Sequence, residues 1–164
     1  MTALLKIGLV SVSDRASQGV YPDQGIPELK NWLEQALVEP FEVVERLIPD
    51  EQPEIERTLC ELVDEAHCHL VLTTGGTGLS DDDITVDELA KYLTKQLPGI
   101  AMQFWQTGLH ATPLAVCSRA IAGTVGRTFV MALPGSVSAC RDGIKVLDPI
   151  IDSLVGMLEG THVH

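Results

Sequence analysis

Apolar runs of strand length alternate along this chain with stretches whose apolar residues recur at helical spacing, the alternation that a parallel sheet covered by helices requires. Residues 6–12 are apolar at nearly every position, as a strand buried on both faces must be. Ile26, Leu29, Trp32, Leu33, Ala36 and Leu37 then fall on one stripe of a helix over residues 25–38, with Pro27 suited to its first turn. Residues 41–48 read as a second strand, and Ile55, Leu59, Leu62, Val63 and Ala66 mark a second helix. A third strand over residues 69–74 runs directly into Gly75-Gly76-Thr77-Gly78.

The second half of the chain keeps the pattern. Thr85-Val86-Asp87-Glu88 has the spacing of a capping box and opens a helix with Leu89, Tyr92, Leu93 and Leu97 on its apolar face. Pro98-Gly99 ends that helix, a short helix follows over residues 100–107, and strands are expected at 114–118 and 128–133. Leu133-Pro134-Gly135-Ser136 makes another strand-to-helix turn. Leu147, Ile150, Ile151, Leu154, Val155 and Leu158 form the stripe of a last helix, which Pro149 should kink or divide. There is no internal repeat and no linker, so one domain over residues 1–164 is expected.

Bulk composition narrows the function. At 164 residues and 45% hydrophobic content, one sizeable core is affordable and two ordinary domains are not. The formal charge of −12 argues against nucleic acid as a partner, because such partners need a basic stripe to displace condensed counterions. A single phosphate group can still bind where a helix N-terminus, a few cations or a metal ion meets it. The N-terminal residues do not read as a signal peptide, and no apolar stretch approaches the roughly 20 residues of a membrane span. Four cysteines without a CxxC pair fit a reduced, cytoplasmic setting.

Ligands of an open parallel sheet bind beyond the carboxyl ends of its strands, and four such ends are polar here: Ser11 with Ser13-Asp14-Arg15, Pro49-Asp50-Glu51, Thr73-Thr74 through Asp83, and Leu133 to Ser136. The Thr-Thr-Gly-Gly-Thr-Gly stretch lets backbone N–H groups approach an anion without Cβ interference; it is also what a tight turn needs. It carries neither the Walker ending nor the dinucleotide-fold spacing. Asp50, Asp81, Asp82 and Asp83 would repel a phosphate unless a cation such as magnesium lay between, whereas a solvated acidic turn before a helix accounts for Asp81 and Asp82 as well. His67-Cys68-His69 invites a zinc reading, but Cys68 points away from both histidines on a strand and no fourth ligand lies near. Cys117 and Cys140 read as core or near-core residues. His110, His162 and His164 have no recognisable partner, so covalent catalysis is not supported.

Taken together, Ser13-Asp14-Arg15, Pro49-Asp50, Thr73 through Gly78, Asp83-x-Thr85, Pro98-Gly99, Ser118-Arg119 with Gly123, and Leu133-Pro134-Gly135 resemble the molybdopterin-binding family of Mog and MoaB proteins, which includes the gephyrin domain. The resemblance runs over about residues 7–158, with the motifs in family order. It implies a three-layer α/β/α fold with a mostly parallel central sheet, assembly as a homotrimer, and adenylylation of molybdopterin by Mg2+ and ATP. It also leaves room for contact with a molybdate-insertion protein. Position by position, it implies Asp50 and Asp83 as the carboxylates that hold Mg2+ or position phosphates. Thr74, Gly75, Gly76, Thr77 and Gly78 would line a phosphate pocket, Pro134, Gly135 and Ser136 would form a second anion-binding turn, and Ser13, Asp14, Arg15, Ser118 and Arg119 would complete the rim. Leu79-Ser80-Asp81-Asp82 departs from the Mog pattern, and Asp82-Asp83-x-Thr85 is similar to the CinA-type domain, whose relatives act on nucleotide pyrophosphates. A pterin-binding scaffold without turnover is the third alternative.

Overall fold

The computed structural model describes residues 4–161; His162 and His164 lie outside the described residues. Six strands form one sheet in the order β2-β1-β3-β6-β5-β4. β1 (Leu5–Val12), β2 (Phe41–Ile48), β3 (Leu70–Thr74) and β6 (Thr128–Leu133) are mutually parallel, while at one edge β5 (Ile121–Val125) pairs antiparallel with β6 and the two-residue β4 (Lys95–Gln96) pairs antiparallel with β5. The expected mostly parallel sheet is therefore present.

Alternation along each central strand divides the core in two. Leu5, Ile7 and Leu9 of β1, Leu70 and Leu72 of β3, and Phe129, Met131 and Leu133 of β6 face α2 (Gly25–Ala36), α5 (Pro98–Leu109), α6 (Val137–Leu147) and α7 (Ile151–Glu159). The opposite set, with Val10, Val12, Val71 and Val130, packs on α3 (Gln52–Leu59) and α4 (Thr85–Tyr92). The result is three layers. Each fully buried aliphatic side chain contributes about 1.5–3 kcal/mol of transfer free energy, which is why continuous apolar runs select the central positions. The edge strand β2, half exposed along most of its length, alternates instead.

Several expectations are corrected. Residues 114–118 are not a strand: Pro113–Cys117 is a 3-10 helix capped by Thr112, whose Oγ1 accepts from the Leu114 N–H at 3.2 Å. Pro113 cannot donate to a ladder, and Leu114 and Val116 face solvent. Cys117 is likewise exposed, not near-core, whereas Cys140 is buried as expected. The missing strand is β5, whose Ile-Ala-Gly-Thr-Val sequence has its β-branched residues interrupted by Ala122 and Gly123, which are weak strand formers. It turns into β6 through Gly126 at φ 57.

The helix opened at Thr85 ends at Tyr92, and its capping box does not form: Ile84 is the N-cap without a side-chain bond, and Thr85 and Glu88 are both buried. Burial of these two side chains beneath neighbouring elements overrides the local motif. Pro98 stands in the first turn of α5 rather than closing the helix before it, a position where its missing N–H costs nothing. Pro149 divides the last helix into α6 and α7. The second helix continues past α3 as a π-helix over Cys60–Glu65, placing Leu62 under Gly8, where a Cβ would approach the Leu62 Cδ1 to 2.8 Å.

Candidate functional site

The loops leaving β1, β2, β3 and β6 all open on the same edge of the sheet, and they enclose a cavity of about 590 Å³. Ser13, Asp50, Thr74, Gly75, Gly76, Asp83, Gly135 and Ser136 line it. Loops as far apart in sequence as those of Ser13 and Ser136 thus converge because four parallel strands end together. A larger concavity of about 1230 Å³ lies at the opposite edge, among Lys6, His67, His69 and Arg127. That edge carries the strand starts, not the ends where sheets of this kind place their ligands.

Each wall is locally built. Ser13 caps α1 (Asp14–Ser17), its Oγ accepting from the Ala16 N–H at 3.3 Å and lying 3.0 Å from the Tyr21 hydroxyl. The first two loops are locked reciprocally: the Asp14 N–H donates to Asp50 Oδ2 at 3.1 Å, and the Asp50 N–H donates to Asp14 Oδ1 at 2.9 Å. Asp14 therefore holds the wall together from behind, and Arg15 is exposed outside the cavity.

The glycine-rich turn needs its glycines. Gly75 has φ 99 and Gly76 φ 72, and a Cβ on them would stand 2.1 Å from the Val12 carbonyl oxygen and 2.0 Å from Thr85 Oγ1. The Gly75 N–H donates to the Leu133 carbonyl at 2.8 Å and the Thr85 N–H to the Gly76 carbonyl at 3.2 Å. Thr77 is buried and Gly78 half-buried behind the turn; the Ser118 hydroxyl donates to Thr77 Oγ1 at 3.2 Å. The fourth wall is the N-terminus of α6. Ser136 caps it by accepting from the Ala139 N–H at 3.1 Å, leaving the first-turn N–H groups without intrahelical partners. Pro134 and Ser118 instead line a neighbouring apolar cavity of about 450 Å³, which shares Ser136 with the first.

Electrostatics separates the two aspartates. Asp83 is held below the usual carboxylate range, chiefly by the Ser80 hydroxyl at 2.6 Å; burial, the next effect in size, opposes this, and the Ser80 and Gly78 N–H groups and the Arg119 guanidinium lower it further. Asp50 is pushed up by burial; the Asp14 N–H opposes this, and the charges of Asp14, Asp83 and Asp82 add to it. The cavity holds three carboxylates, with Asp23 the third, and among the described residues no lysine, arginine or histidine lines it. Arg119 is occupied elsewhere, by Asp87, Gly78 and Asp83. Asp81 and Asp82 are exposed, as a solvated turn would have them.

Sequence reasoning missed Tyr21, Asp23 and Gln24, which reach the cavity from the loop between α1 and α2. No spacing signal marks them in the sequence, because α1 separates this loop from the end of β1. Among the described residues no set of three or more His, Cys, Asp or Glu is arranged to hold a metal, and His69 is engaged as the acceptor of the Lys6 N–H at 3.0 Å. A cation at Asp50 and Asp83 would therefore rely on water and substrate oxygens for most of its shell. That is the habit of magnesium, whose oxygen-donor preference the carboxylate pair fits.

An open α/β sheet with an acidic, glycine-walled cavity at its strand ends defines a protein of the α/β class that has its candidate ligand site beyond the carboxyl ends of the strands. The family described as "Probable molybdopterin binding domain" matches residues 8–153, and the chain belongs to that family. It is 56% identical over 145 residues, covering 88% of this chain and 74% of the relative, to the molybdopterin adenylyltransferase of Haemophilus influenzae. It is 47% identical over 171 residues to the enzyme of the same name from Escherichia coli K12, covering 97% and 88% of the two chains. The MoaB structure from Thermus thermophilus superposes with a TM-score of 0.86 at 33% identity, covering 96% and 98%. A CinA protein from Thermoplasma acidophilum, at 16% identity and a TM-score of 0.65 over 92% and 98%, shares the fold alone.

Proposed function

We propose that this chain is a molybdopterin adenylyltransferase of molybdenum cofactor biosynthesis, a nucleotidyltransferase. The terminal phosphate oxygen of molybdopterin attacks the α-phosphorus of ATP, the bond to the β-phosphate oxygen breaks, and pyrophosphate leaves as AMP becomes joined to the pterin phosphate. The observation that carries this reading is the convergence of four strand-end loops on one cavity with carboxylates from two of them, in a chain 56% identical to a protein of that name. Because the substrate brings its own nucleophile, the protein need only position two anions and offset developing charge; no side-chain nucleophile is required.

The residues divide that work. The Gly75-Gly76 turn and the α6 N-terminus at Ser136 offer backbone N–H groups to phosphate oxygens. Asp50 and Asp83 would hold Mg2+, which when bound neutralises phosphate charge and polarises the α-phosphoryl group. Asp83, already favoured as the anion, presents the ready ligand. The apolar cavity beside Ser136 suits a flat ring, with Arg141 and Lys145 at its rim, and is the place we assign to the pterin. Four free cysteines fit the cytoplasm, and the family resemblance supports a homotrimer that passes its product to a molybdate-insertion protein; sedimentation equilibrium tests the trimer.

The decisive assay is magnesium-dependent pyrophosphate release with ATP and purified molybdopterin. Adenylylated pterin should accumulate, and Asp83→Asn should lower kcat by about 10²–10³-fold, the range for removing one preorganised electrostatic group, with pterin binding retained. Free nucleotide without adenylylated pterin would mean a pyrophosphatase, and pterin binding without pyrophosphate release would mean a carrier.

A further inference from the structure

Arg119 stands just before β5, yet it donates to a turn far behind it in sequence. Its Nε donates to the Gly78 carbonyl at 3.1 Å and its Nη2 to the Asp83 carbonyl at 2.5 Å. Nη1 and Nη2 also meet both Asp87 carboxylate oxygens, at 2.9 and 3.0 Å, and the Arg119 backbone N–H donates to the Thr77 carbonyl at 2.9 Å. The carbonyls of Gly78 and Asp83 are the two ends of the exposed turn carrying Leu79, Ser80, Asp81 and Asp82. A single planar fork therefore closes that turn into a ring and ties it to the first turn of α4.

Inside the ring, Asp83 is placed from both sides. Its carboxylate accepts from the Ser80 N–H and hydroxyl, while a side chain at Gly78 would approach its Oδ2 to 2.6 Å. Any shift of Gly78 relative to Asp83 thus moves the carboxylate at the cavity. We propose that Arg119, with Asp87 as its counter-ion, is a positioning residue that sets the Asp83 carboxylate for the transfer reaction, and is not a ligand for a substrate phosphate. This rests on the adenylyltransferase reading. The guanidinium has no donor pair left for an anion without surrendering the turn. A lysine ammonium, a single point of charge, cannot serve three separated acceptors in one plane.

The test compares R119K, D87N and the double variant of the full chain. Pyrophosphate release gives kcat and the KM for ATP, hydrogen exchange follows peptides covering residues 78–83, and a thermal melt reports the fold. Each single variant should lower kcat about tenfold, a displacement of a fraction of an ångström at a reacting group, with the KM for ATP within about twofold. The double variant should be no worse than the weaker single one, because both break the same clamp, and exchange should quicken at residues 78–83 alone. A raised KM at unchanged kcat in R119K, or wild-type behaviour of D87N beside a crippled R119K, would make Arg119 a phosphate ligand and overturn the clamp. Unchanged exchange in both variants would overturn it too. Should the wild-type chain release no pyrophosphate, the adenylyltransferase reading fails on its own, and the exchange measurement still decides the clamp.

Discussion

Gly75→Ala probes the contact on which the proposed anion cradle depends. A Cβ at residue 75 would sit 2.1 Å from the Val12 carbonyl oxygen, and real Cβ contacts essentially never fall below 3.0 Å, so β1 and the turn must part by roughly 3.0 minus 2.1 Å, about 1 Å. No rotamer relieves this, because both atoms belong to rigid backbone. Alanine at φ 99 adds about 1–2 kcal/mol of left-handed strain, and loosening the Gly75 bond to Leu133 about 1 kcal/mol more. The expected loss is therefore about 2–3 kcal/mol by urea unfolding, within the 5–15 kcal/mol that a domain of this size holds. The variant should fold, yet turn over about 10²-fold more slowly, since a 1 Å misplacement suffices for that. Gly99→Ala is the matched control: nothing lies within 4 Å of its Cβ position in the first turn of α5, and it should gain about 0.4–1 kcal/mol. A Gly75→Ala protein as stable and as active as wild type would show that the turn does not require close backbone approach.

Two further outcomes follow from charge and burial. Burial and neighbouring acids raise the Asp50 carboxyl above its ordinary 3.8, so the ionised form costs stability at neutral pH and that cost disappears as pH falls through the raised value; Asp50→Asn should raise the Tm of the ligand-free protein at pH 7, by an amount that shrinks on acidification, and an unchanged Tm would refute the burial argument. Burial pushes the Cys140 thiol up to about 12, while Cys117 is exposed: mass spectrometry after brief alkylation should find Cys117 modified at least about tenfold faster, with Cys140 labelled only on unfolding, and prompt labelling of Cys140 would contradict its placement.

How far these features could be read from the chain alone depends on the kind of interaction that sets them. Strands β1, β3 and β6 are buried on both faces, and that demand writes itself as an uninterrupted apolar run; the stripes of α2 and α7 are equally legible. Residues 114–118 misled because Leu-Ala-Val-Cys has strand composition while Pro113 and the Thr112 cap impose a 3-10 turn. β5 was hidden for the converse reason, since Ala122 and Gly123 interrupt its β-branched residues, and Gly123 must be small where the Lys95 carbonyl and Leu93 crowd against it. The capping box at Thr85 failed because tertiary burial took both of its side chains. At the site, glycines and loop acids announced themselves by type and spacing. Tyr21 and Asp23 did not, because only the path of the loop from α1 to α2 brings them to the cavity.

The charge pattern of the cavity then gives these placements a common sense. A chain of net charge −12 could bring an anion to this edge by lining it with arginine, and it does the opposite: the nearby Arg119 is spent on the turn, and three carboxylates face the space. Left to themselves, these acids repel a phosphate and repel one another, which is why Asp50 is pushed up while Asp83, supplied with three donors and a guanidinium, is pulled down. The unequal pair has a physical use. A divalent cation would find one carboxylate already favoured as the anion and would relieve the burial and charge repulsion that disfavour the anion of the other, so its binding and the ionised form of Asp50 favour each other. Under the function proposed above, such a cation would offset the repulsion that these carboxylates exert on a phosphate, the work that an arginine lining would otherwise do.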